Sequence, residues 1–164
     1  VGGTWANKVI FDTDGYVTSS GYYVNGGIGE NLLLDNGTTV ATSTFTEKVI
    51  QIACSDLTTE ITSGSLKAYF RMPYTMTVTA VSASVLSAPT GSSIIIDIND
   101  NGTTIMTTNK LSIDAGERTS VTAATLPTLT DTTIASDAEV TIDFDQVGST
   151  FGGAGVIVTL RGNV

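Results

Sequence analysis

From Lys48 onward the chain sets apolar side chains at every second position, the period of a strand with one face in a core. In Leu66-Lys-Ala-Tyr-Phe-Arg-Met72, the residues Leu66, Ala68, Phe70 and Met72 fall on one side, and Lys67, Tyr69 and Arg71 on the other. Past Pro73-Tyr74, Met76, Val78 and Ala80 share a face, but Val81, Ala83 and Val85 continue the apolar set one residue out of phase. Such a slip predicts a bulge or bend near Ala80, as where a strand turns a corner between two sheets. Ser93–Asn99, the turn Asp100-Asn-Gly102 and Thr103–Met106 read as a hairpin whose turn needs positive φ. Further strands are expected at Lys110–Ile113, Thr119–Ala123, Glu139–Asp145 and Gly155–Arg161, about eight in all. Helical periodicity is limited to a single turn near Asp131–Asp137. The pattern predicts an all-β fold, an antiparallel β-sandwich of jelly-roll type. Phe70, Ile96, Ile98, Ile142, Phe144 and Val158 should lie between its two sheets.

Residues 1–47 follow another pattern. Gly-Gly, Asp-Gly, Asn-Gly-Gly and Asn-Gly interrupt runs of a few residues, with short strands expected at Trp5–Phe11, Tyr16–Thr18, Gly21–Val24, Asn31–Leu34 and Thr39–Thr42. Segments this short cannot enclose a core of their own. The chain therefore divides into a Gly-rich β extension, 1–47, and a sandwich head, 48–164. Trp5, Ile10, Phe11 and Leu32–Leu34 need cover from the head or from copies of the same chain, which predicts a homotrimer. The first residue is Val and not Met, so the chain reads as a piece of something longer.

Composition narrows the chemistry. The 164 residues include 29 Thr and no His, so the side chain most used as general base and metal ligand near neutral pH is missing. A net charge of −9 opposes phosphate backbones and anionic lipid surfaces, and no apolar run is long enough to span a bilayer. Nucleic acid and membrane are thus poor partners. Cys54, the one cysteine, lies in an alternating run and reads as a small buried hydrophobe.

Three constellations could carry function. Asp97-x-Asn99-x-Asn101-Gly102 copies the first half of a calcium loop, but Thr108 stands where a bidentate carboxylate belongs, so an Asn-Gly hairpin is the better reading. Asp12-Thr-Asp-Gly15 is a shorter fragment of the same kind. Glu139, Asp143 and Asp145 line one strand opposite Val140, Ile142 and Phe144, an acidic face with no sign of the cleft that a glycoside hydrolase would need. Tyr22, Tyr23 and Asn25, with Tyr69 and Arg71, combine ring faces with amide and guanidinium groups, the equipment for holding a sugar. No catalytic residue and no cofactor is expected.

The block Phe70–Leu160 resembles a β-rich module of tailed-bacteriophage structural proteins, tail fibres above all. Phe70-Arg-Met-Pro73, Ala88-Pro-Thr-Gly91, Ile96–Asn99 with Gly102–Ile105, Ile113–Glu117, and Ile142–Ser149 through Gly153-Ala-Gly155 carry the resemblance. It covers somewhat over half of the chain. The resemblance implies a trimeric virion protein outside the cell, in contact with other virion proteins, whose fibre tip binds a host surface glycan or protein. A capsid decoration protein and a carbohydrate-binding module of a secreted protein are the alternatives.

Overall fold

The computed structural model describes residues 32–33, 39–40 and 47–164. The chain falls into two units, Val1–Thr44 and Phe45–Val164. In the first, β1 (Leu32–Leu33) pairs antiparallel with β2 (Thr39–Val40), Leu32 opposite Val40. The other N-terminal strands, and with them Tyr22, Tyr23 and Asn25, lie outside the described residues.

The second unit is all-β, with no helix among the described residues. Its strands are β3 (Glu47–Ala53), β4 (Gly64–Arg71), β5 (Met76–Ser84), β6 (Ile94–Asp100), β7 (Thr103–Thr104), β8 (Leu111–Ile113), β9 (Thr133–Ile134), β10 (Glu139–Gln146) and β11 (Ile157–Asn163). They form two antiparallel sheets. Sheet I runs β3-β11-β5-β9, and sheet II runs β4-β10-β6-β7 with β8 also on β6. Alternation sorts their side chains: Val158 and Leu160 from sheet I, and Ile96, Ile98, Ile142 and Phe144 from sheet II, are buried in one shared cluster. Phe70 is only half-buried, because β4 is an edge strand with a neighbour on one side.

The phase slip in β5 is real, and its position is Thr79. Arg161 pairs with Ala80 and Gly162 with Val78, so Thr79 is the extra residue and the buried set moves from Met76 and Val78 to Val81 and Ala83. The strand does not pass between sheets, however; β5 stays in sheet I throughout. The hairpin turn has the expected geometry, with φ of 47° at Asn101 and 80° at Gly102.

Three expectations are corrected. Thr119–Ala123 is not a strand: Thr119 makes an isolated bridge to Ser84, and Ser120 Oγ accepts from the Ala83 N–H at 2.8 Å, so this stretch caps the edge of β5. Asp131–Asp137 is not a helical turn; it contains the two-residue β9, held by Met76 and Thr77. Leu66 is not on the buried face. It has φ of 58° and is 65% exposed, because its N–H is drawn out to Asp143 Oδ1 at 2.7 Å.

Cys54 follows β3 and is buried, with its thiol pushed up to about 12 by burial and partly lowered by the Val158 backbone. The thiolate fraction at pH 8 is therefore about a thousandfold below that of an open cysteine. A maleimide or disulfide reagent should leave native protein almost unlabelled at pH 8 and react fully in denaturant. Rapid labelling of the native state would contradict this environment.

Candidate functional site

Sheet II turns a strongly polar face away from the core. At one end Arg71 donates to Glu139 at 3.3 Å and to the Asp137 carbonyl at 3.0 Å. Contact with Tyr69, then the charges of Asp137 and Glu139, outweigh desolvation and raise the Arg71 guanidinium further above its ordinary value. Tyr69 is 56% exposed beside it, opposite Thr141 and in line with Asn99. The face thus presents Tyr69 and Arg71 together, as their spacing predicts.

The calcium-loop fragment is committed to other partners. Asp97 accepts from Lys110 Nζ at 2.7 Å and from Thr104 Oγ1. Asn99 turns its Nδ2 to Asp143 at 3.0 Å, while Asn101 accepts from the Glu139 N–H at 3.1 Å and donates to Asp100. The side-chain oxygens of Asp97 and Asn101 are thus taken by neighbouring groups. The three carboxylates of β10 are likewise separated: Glu139 is held by Arg71, Asp143 by Leu66 N and Asn99, and Asp145 by Lys110.

At the other end of this face lies a groove of about 570 Å³ that sequence reasoning missed. A second bulge shapes one wall of it. Phe144 pairs with Ile96 and Gln146 with Ile95, leaving Asp145 as an extra residue, so Asp145 and Gln146 both reach the groove although they are consecutive. Ile95 forms an aliphatic floor, flanked across the sheet by Gln146 on β10 and Ser112 on β8. The groove centres on Ile95 and the Tyr69 row on Asn99, four residues along β6, or about 13 Å. Tyr69 and Arg71 therefore do not line the groove.

The side chains of Gln146, Asp114, Ser112 and Lys110 are anchored. Gln146 Nε2 donates to the Ser93 carbonyl at 2.8 Å, leaving its amide oxygen for a ligand. Asp114 accepts from Ser93 Oγ at 3.1 Å and from the Ala124 N–H at 2.8 Å, tying the 124–125 wall to the start of β6. Ser112 Oγ donates to the Thr125 carbonyl at 3.3 Å. Lys110 sits between Asp97 and Asp145; burial lowers its pKa, but the hydrogen bonds and charges of the two carboxylates outweigh that and raise it overall. The ammonium is thereby neutralised from within. What remains is a preorganised set of hydroxyl, amide and carboxylate groups around an aliphatic floor, equipped for hydrogen bonding to a neutral polar ligand.

The only sequence signal for the groove was weak: Asp145-Gln146 ends an alternating run with two polar residues in succession. No known protein family matches this chain, and comparisons with curated proteins and with solved structures find no significant match.

Proposed function

We propose that the protein is a structural and recognition module, the head of a phage tail fibre exposed on the virion, and that its groove over Ile95 binds a neutral host-surface glycan. The observation that carries the reading is the Asp145–Gln146 bulge, which sets an amide and a carboxylate over an aliphatic floor already flanked by Ser112. Sugars offer that combination in reverse, hydroxyls at the rim and a C–H face below. A neutral sugar is favoured over an anionic one because Lys110 is occupied by Asp97 and Asp145, while Asp114 adds a further negative charge. The tail-fibre setting is supported by the Phe70–Leu160 resemblance. The strand orders, β3-β11-β5-β9 and β4-β10-β6-β8 when β8 is taken as the neighbour of β6, support reading the sandwich as a jelly roll.

The test is a glycan array followed by titration of the best neutral oligosaccharide. Gln146→Ala and Ser112→Ala should each weaken binding by roughly 3–10-fold, the worth of one or two hydrogen bonds, with melting unchanged. Loss of binding in Tyr69→Ala with both groove variants unaffected would move the site to the Tyr69–Arg71 end. Binding of sialylated or sulfated glycans in preference to neutral ones would refute the charge argument.

A further inference from the structure

The edges of the two sheets are unequally protected. In sheet II, β4 is kinked at Leu66 and carries Lys67 and Arg71, while β7 and β8 are two and three residues long. Sheet I ends on one side at the two-residue β9 and the capping Thr119–Ser120 stretch. Its other edge is β3, seven residues paired to β11 without a register shift. Val49-Ile-Gln-Ile-Ala53 contains neither charge nor proline, so, among the described residues, β3 beyond Glu47 and Lys48 lacks the usual devices that keep an edge strand from pairing.

Which backbone groups face outward follows from one hydrogen bond. Cys54 N–H donates to the Val156 carbonyl at 2.8 Å, so alternate residues, Ile52 and Ile50, also bond to β11. Among the described residues, the N–H and C=O groups of Val49, Gln51 and Ala53 then point away from the sheet. Ile50 and Ile52 are only half-buried on the core side, and Val49 is 53% exposed on the outer side.

We propose that β3 is a self-association edge, on which a second copy of the chain lays its own β3 antiparallel about a two-fold axis at Gln51. The sequence of the strand suits that partner. With Gln51 opposite Gln51 of the second copy, Val49 meets Ala53 on the outer face and Ile50 meets Ile52 on the core face, so apolar groups meet apolar groups. Glu47 and Lys48 fall opposite Ser55 and Cys54, so no like charges oppose each other. The three outward residues form the hydrogen-bonded pairs, and the half-covered isoleucines are closed over. This inference is independent of the glycan reading but stands against the homotrimer expected from the N-terminal residues, and the mass in solution separates the two.

Sedimentation equilibrium of the full chain, with amide exchange followed by NMR, tests it. The expected result is a species of twice 16.9 kDa in which Val49, Gln51 and Ala53 N–H exchange slowly, as do Ile50 and Ile52. Gln51→Pro removes an outward N–H, which an edge strand tolerates, and should give a folded monomer with fast exchange at Val49 and Ala53. Gln51→Lys places two ammonium groups at the axis and should weaken association at least tenfold at low salt, with partial recovery at high salt. A monomer with fast exchange at the three amides, a trimer, or a Gln51→Lys variant that associates like the parent would each overturn the proposal. Slow exchange at those amides in a monomer would overturn it too, by showing that another segment of the same chain covers the edge.

Discussion

Phe144→Ala is expected to lower the stability of the sandwich by about 3–5 kcal/mol and its melting temperature by roughly 10–20 °C. Phe144 is 1% exposed, and its strand β10 is central in sheet II, between β4 and β6, so no edge of the sheet can relax into the space left behind. The lost transfer energy and the cavity therefore add. Phe70→Ala should cost visibly less, because Phe70 is half-buried on edge strand β4 and water already reaches part of the ring. Urea denaturation of both variants checks the order. A Phe144→Ala protein within 1 kcal/mol of its parent would mean that β10 does not face the core as described.

Gly162→Ala is expected to be nearly as severe, at about 3 kcal/mol or more, for a reason unrelated to hydrophobicity. Gly162 lies opposite the Thr79 bulge of β5. A Cβ at residue 162 would overlap the Thr77 carbonyl oxygen and crowd Met76 Cγ at 2.7 Å. The obstruction is backbone, which cannot swing aside like the end of a side chain. Gly102→Ala is the control: its φ of 80° disfavours alanine, but no atom lies within 4 Å of the new methyl, so only the conformational cost of about 1 kcal/mol remains. Equal losses at the two positions would show that bulge packing is not what requires glycine at 162.

The bulges at Thr79 and Asp145 have different consequences. The one at Thr79 preserves the core, since it lets a strand whose apolar set changes phase keep both halves buried. The one at Asp145 acts on the opposite face, where it turns two polar side chains to the same side over Ile95. The first was visible in the spacing of Val78 and Val81, because a break in a period of two has few other meanings. The second was not, because Asp145 and Gln146 are both polar and their order says nothing about which side each takes.

Alternation, turns and strand faces were legible from the residues themselves. Val140, Ile142 and Phe144 are buried as their spacing requires, and Asn101-Gly102 takes positive φ because few other residue pairs reach it cheaply. These depend on the stereochemistry of neighbouring residues, which is local. Leu66 defeated the same reasoning because its partner, Asp143, stands 77 residues away and takes its N–H out of the regular ladder. Ser120 likewise belongs to Ala83, 37 residues back, rather than to a strand of its own. The groove is of this second kind throughout: Ser93, Lys110, Asp114 and Gln146 meet only because β8 and β10 both lie against β6. Which side of a regularly alternating strand faces the core was thus legible in the sequence alone. Which strands lie side by side, and so which polar residues share a site, was decided only in the tertiary structure, because strand pairing is a long-range choice made by the whole core.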